Sequence, residues 1–72
     1  MGDKMDIDVR SYIINNFKGD SEDVIGDNID KVVSSREDEP LIGLGVLFEI
    51  LWDNSDKSKR SEMVKRIKQG MG

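Results

Sequence analysis

Few residues of this chain could do chemistry, and Glu49 is the most conspicuous of them. It is the single acid in the apolar run from Leu41 to Trp52, and burial in such surroundings raises the pKa of a carboxyl group. A catalytic carboxyl group also needs a second acid, a base or a nucleophile beside it, and the sequence indicates none for Glu49. We therefore predict that Glu49 reaches solvent at the edge of its helix or pairs with a Lys or Arg.

The pair of glycines in Gly43-Leu44-Gly45 is a second candidate, because closely spaced glycines occur in nucleotide-binding turns. The third glycine of that motif is absent, no strand precedes the pair, and it lies inside a hydrophobic run, so the match is weak. Glycine costs about 1 kcal/mol of helix propensity. Close approach of a neighbouring backbone would offset that cost, so we predict that Gly43→Ala and Gly45→Ala destabilise the fold.

Metal and nucleophile chemistry is strongly limited by composition, because the chain has no Cys and no His. This excludes disulfides, zinc sites built from thiolate or imidazole, and nucleophile–base pairs of these residues. Acidic stretches at 20–23, 27–30 and 37–39 lack the ligand spacing of a calcium loop. We predict no catalytic residue, metal, cofactor or small-molecule substrate; an enzyme would need a partner chain to supply the missing groups.

A group of basic residues near the C-terminus is the candidate contact for an anionic partner. Residues 1–40 hold 11 acids and 5 bases, whereas residues 41–72 hold 4 acids and 6 bases. At about 100° per residue, these bases spread around a helix, whereas a DNA-reading helix concentrates them on one face. An ordinary solvated surface is favoured, and nucleic-acid contact is the alternative. The residues are Lys57, Lys59, Arg60, Lys65, Arg66 and Lys68.

Helices must position all of these side chains, because no strand-like alternation of useful length occurs. Apolar spacing predicts an all-α fold of four helices, with the first over 7–17 and capped by Asp6 or Asp8. Ser21 is the predicted cap of the second helix, and Ser55 or Ser58 that of the fourth. Gly19 and Gly70 are the predicted stops of the first and fourth helices.

The third predicted helix, which follows Pro40, is apolar on almost every side. Such a helix is normally surrounded by protein, so we predict a small compact four-helix domain with this helix buried at its centre. Phe48 and Trp52 lie one turn apart and are expected to anchor a core or an interface. The predicted core is Ile13, Phe17, Ile29, Val33, Leu44, Leu47, Phe48, Leu51, Trp52, Met63 and Ile67.

The chain is expected to form one domain over residues 6–70, preceded at 1–5 by a loose leader or a remnant of an expression vector. No signal-peptide pattern opens it, and its longest apolar run is shorter than the roughly 20 residues that a membrane helix needs. We therefore expect a cytoplasmic protein without membrane contact. At 72 residues it is near the lower limit for an unassisted core, and a homodimer is one way to bury more apolar surface.

The run PLIGLGVLFEILW at 40–52 resembles the central segment of the small acid-soluble spore protein I family of endospore-forming bacteria. Weaker likeness at 5–10, 55–58 and 62–65 extends the resemblance over nearly the whole chain from Met5. Two features depart from the family pattern: the proline stands at Pro40, ahead of its usual place, and the C-terminal helix is more basic.

The resemblance implies production in the forespore compartment, deposition in the spore core and no enzymatic activity. Our leading hypothesis is therefore a minor structural or interaction protein of the spore core. The alternative is a nucleic-acid-binding accessory protein that uses the basic C-terminal helix.

Overall fold

The computed structural model describes residues 8–72, which form four α-helices. They are α1 (Val9–Phe17), α2 (Glu22–Ser35), α3 (Leu41–Asp53) and α4 (Lys57–Met71). The predicted all-α fold is confirmed, and the described part of the chain contains no strand. The predicted leader at 1–5, the helix start at residue 7 and the alternative cap Asp6 lie outside the described residues.

The first two helices begin at side-chain caps that the sequence predicts. The Asp8 carboxylate accepts hydrogen bonds from the Ser11 hydroxyl at 2.7 Å and the Ser11 backbone N–H at 3.3 Å. These bonds lower the pKa of Asp8, because they stabilise its charged form. The Ser21 hydroxyl oxygen accepts from the Val24 N–H at 3.3 Å. Both contacts satisfy a backbone donor that the first turn of a helix leaves without a partner.

The start of α4 corrects the sequence prediction, since neither Ser55 nor Ser58 is its cap. The Asp56 carboxylate accepts from the Lys59 N–H at 2.9 Å, and the helix begins at the next residue, Lys57. The Ser55 hydroxyl instead donates to the Leu51 carbonyl at 2.6 Å, within the last turns of α3. The connection between α3 and α4 is therefore only three residues long.

Two predicted helix stops are also wrong. The backbone after α1 stays right-handed at Lys18 with φ −57°, and Gly19 has no positive φ. Helix α4 continues through Gly70 and ends at Met71. Among the described non-glycine residues, the left-handed conformation occurs at Arg36, which ends α2 with φ 58°. Such a conformation is uncommon for a residue with a Cβ atom.

Helix α3 packs most closely with α1, and its side chains line the spaces between α1, α2 and α3. Its predicted burial on all sides is not confirmed, because Val46, with 6% of its surface exposed, is the one buried hydrophobic residue described. Ile42 is 66% exposed and Leu51 is 53% exposed. The neighbouring helices cover α3 on part of its circumference and leave the rest open.

The predicted core residues fall into two groups by exposure. The half-buried group is Ile13, Phe17, Ile29, Leu44, Leu47, Trp52 and Met63. The exposed group is Val33, Phe48, Leu51 and Ile67. A single chain thus assembles a partial core in which large apolar side chains keep much of their contact with water.

The two glycines of α3 do not mark a close approach of another backbone. A Cβ atom added at Gly45 would have no atom within 4 Å outside its own helix backbone and chain neighbours. At Gly43 the nearest atom would be Ile13 Cδ1 at 3.8 Å, an ordinary van der Waals contact. The prediction of a tight backbone contact is therefore wrong for both positions.

Candidate functional site

Glu49 forms an ion pair with Arg10 that ties α3 to α1. The Arg10 Nε donates to Oε1 of Glu49 at 2.6 Å, and Nη2 donates to Oε2 at 2.9 Å. This bidentate geometry confirms the predicted pairing, and both side chains are exposed. The hydrogen bonds from Arg10 lower the pKa of Glu49, and those to Glu49 raise the pKa of Arg10. A carboxylate held in its charged form by this pair is a poor general acid at neutral pH.

Trp52, near the end of α3, makes the contacts that hold the start of α4 against α3. Its ring lies 5.7 Å from that of Phe48, centroid to centroid, with the planes tilted by 37°. The Arg60 guanidinium carbon lies 5.3 Å from the Trp52 ring centroid, and Arg60 Nε donates to the Trp52 carbonyl at 2.9 Å. Arg60 therefore combines a cation–π contact with a hydrogen bond to the end of α3.

The remaining predicted anionic-partner contacts stay on the surface of α4. Arg66 Nε lies 3.2 Å from Glu62 Oε2, one turn away on the same helix. The four lysines are exposed: Lys57, Lys59, Lys65 and Lys68. Three of them, at positions 57, 65 and 68 of the helix, project within a sector of about 80° at 100° per residue. The six bases of α4 thus have different surroundings, and Arg60 is the half-buried member.

An open apolar groove of about 640 Å³ lies between α1, α2 and α3. Its polar boundary consists of Lys18, Asp20 and Asn54, and no residue of α4 lines it. This groove was not predicted from the sequence, although the apolar run of α3 is the signal that could have indicated it. We call this feature the α1–α3 groove; its apolar lining is Ile14, Phe17, Ile25, Ile29, Leu44, Leu47, Phe48, Ile50 and Leu51.

Within residues 8–72 the structure brings no three acidic side chains together in an arrangement that could hold a metal ion. None of the described helices is both long and apolar enough to cross a membrane. The described residues present exposed apolar side chains, the basic helix α4 and the acidic helix α2.

Comparison with known proteins identifies the family. A model of the family "small, acid-soluble spore protein I" matches residues 7–71. The chain belongs to this family. The match includes all four helices, so the resemblance seen in the sequence is confirmed over nearly its full length.

Curated relatives agree with the family model. Small, acid-soluble spore protein I of Bacillus cereus (strain G9842) is 36% identical over 67 residues, which cover 93% of this chain and 97% of the relative. The proteins of that name from Bacillus mycoides (strain KBAB4) and Bacillus cytotoxicus (strain DSM 22905 / CIP 110041 / 391-98 / NVH 391-98) are 36% and 34% identical over 93% of this chain. No solved structure matches the chain. Membership of the family associates the protein with the spore and with sporulation.

Proposed function

We propose that this protein is a non-enzymatic structural or interaction protein of the spore core, made in the forespore during sporulation. The observation that carries the proposal is the family match over residues 7–71. It includes the GLGVLFE segment at 43–49, which supplies the buried Val46 and the half-buried Leu44 and Leu47 of α3.

The chemistry of the described side chains supports a role without catalysis. Glu49, the carboxyl group with the best claim to catalytic use, is exposed and held by Arg10 in its charged form. The chain supplies neither Cys nor His as a nucleophile or base at neutral pH. In contrast, the surface presents large apolar side chains such as Leu51 and Ile67, which suit binding to another macromolecule.

Quantitative proteomics of purified spores and growing cells of the host bacterium tests this proposal. Spores stripped of their coats should contain the protein, and growing cells should lack it. Absence of the protein from purified spores, or equal amounts in growing cells, would contradict the proposed role.

A second candidate function, binding of nucleic acid through α4, is favoured by one observation. Helix α4 holds six bases and one acid, a net charge of +5, and Lys57, Lys65 and Lys68 project to one side of it. Binding of this kind weakens as salt rises, because each neutralised phosphate releases counterions. A mobility-shift titration at low salt tests it, with Lys65→Gln as the weakened variant and Gln69→Ala as the control. No shift at low salt would exclude this candidate.

A further inference from the structure

The α1–α3 groove has apolar walls that nothing in the described chain covers. Leu51 on its α3 side is 53% exposed, and Phe48 and Ile14 are exposed as well. Exposed apolar area of this extent on a soluble protein marks an interaction site or an aggregation hazard. The groove therefore lacks an occupant of matching apolar character.

Helix α4 carries an apolar stripe that is largely exposed, with Met63 half-buried. Four residues recur at the spacing that places them on one side of a helix. Ile67 is 48% exposed and Met71 is 75% exposed. A helix of 15 residues is about 22 Å long, and the stripe spans its last nine residues. We call this the α4 stripe; its members are Met63, Val64, Ile67 and Met71.

The charges of the two regions are complementary. Helices α1, α2 and α3, which form the groove, hold six acids and two bases, a net charge of −4, and the rim of the groove carries one Lys and one Asp. Helix α4 holds six bases and one acid, a net charge of +5. Complementary potentials steer association and fix orientation. The opposite net charges favour a basic amphipathic helix in the groove over a neutral apolar small molecule. Helix α4 of the chain is such a helix.

The connection to α3 separates each α4 from the groove of its own chain. Only residues 54–56 link the helices, and Arg60 fixes the first turns of α4 against Trp52. In that position Val64, Ile67 and Met71 of the α4 stripe are exposed, and no residue of α4 lines the groove. A second copy of the chain can supply the missing helix without any change in these contacts.

We propose that two copies of the chain form a reciprocal dimer, in which the α4 stripe of each copy lies in the α1–α3 groove of the other. The exchange is symmetric, so both unpartnered apolar surfaces of both copies are covered at once. The proposal does not rest on the spore role, because it follows from the surfaces of the chain alone.

Sedimentation equilibrium of the full chain from micromolar to millimolar concentration tests the association. The mass should approach twice the 8.1 kDa of the chain. Ile67→Glu should weaken the dimer by about a hundredfold or more, because each copy loses a buried apolar side chain. Gln69→Glu adds the same charge to the same helix on the side away from the stripe and should leave the dimer intact. A wild-type chain that stays monomeric at millimolar concentration would overturn the proposal.

Complementation distinguishes the reciprocal dimer from other pairings. Leu51→Lys, in the groove, and Ile67→Glu, in the stripe, should each lose the dimer alone. Mixed together, with one variant isotopically labelled, they should form a heterodimer in native mass spectrometry, because one of its two contacts is wild type. Circular dichroism of each variant and of the mixture reports folding, and a gain of helix on mixing would also support the proposal. If Leu51→Lys leaves the dimer intact while Ile67→Glu abolishes it, α4 packs on α4 and the groove assignment is wrong.

Discussion

At the scale of single residues, Glu49 shows how an ion pair reverses the pKa shift that its place in the sequence suggests. Its place in an apolar run suggested a raised pKa, yet Arg10 reaches it from α1 and lowers that pKa. A depressed pKa in the folded state adds stability above the unfolded-state value, about 4.3 for Glu. That stability is lost as the pH falls through the folded-state pKa.

The Glu49 pairing predicts a specific change in an NMR titration. The Glu49 side-chain carboxyl group should titrate below its unfolded-state value in the wild-type chain and move up in Arg10→Gln, because its hydrogen-bond donors are lost. Arg66→Gln removes a different surface arginine and should leave the titration of Glu49 unchanged. The stability difference between wild type and Arg10→Gln should shrink as the pH drops below about 4.3. An identical Glu49 pKa in both chains would show that the pair does not persist in solution.

Gly45 gives a second prediction at this scale, opposite in sign to the one drawn from the sequence. A Cβ atom there meets no other atom within 4 Å, so Gly45→Ala should stabilise the fold by about 1 kcal/mol through helix propensity. Gly43→Ala should also be tolerated, since its Cβ would contact Ile13 Cδ1 at an ordinary 3.8 Å. Urea unfolding of both variants provides the measurement. A clear loss of stability in Gly45→Ala would mean that a neighbouring surface approaches α3 there.

At the scale of helices, α4 is the one whose start and end both differ from the sequence prediction. Its first turn depends on Asp56, whose carboxylate accepts from the Lys59 N–H. Asp56→Ala should therefore lower the free energy of unfolding by about 1 kcal/mol. Ser58→Ala, at one of the two positions predicted from the sequence, should change it little. Circular dichroism during urea unfolding checks both, and equal effects of the two substitutions would contradict the assignment of the cap.

Features that depend on neighbouring residues could be predicted from the sequence, and features that depend on distant residues could not. Apolar spacing, the caps Asp8 and Ser21 and the proline at Pro40 act within a few residues, so four helices and the starts of three of them were predictable. Arg36 at positive φ could not be foreseen, because its conformation depends on how the chain leaves α2. The sequence could predict that Glu49 contacts either solvent or a basic residue, since an acid in an apolar helix needs one or the other. Its partner is 39 residues away and could not be named from local pattern.

At the scale of the whole molecule, the main difference between the sequence prediction and the structure is how far the apolar residues are buried. Periodicity correctly places Leu51 and Ile67 on the apolar sides of their helices, yet both are exposed in the single chain. A pattern of this kind indicates that a side chain will be buried and does not indicate by which chain. In the proposed dimer, the α1–α3 groove and the α4 stripe are the two halves of a core that one copy of the protein leaves open.

An incomplete core in one chain predicts that stability depends on protein concentration. Association stabilises the folded state by mass action, so a hundredfold increase in concentration should raise the Tm of the wild-type chain by roughly 5–10 °C. Gln69→Glu should show the same rise, whereas Ile67→Glu should show little, because its α4 stripe no longer fits the groove. Differential scanning calorimetry at several concentrations makes the comparison. A wild-type Tm that does not change with concentration would mean that the single chain is stable with its groove and stripe uncovered.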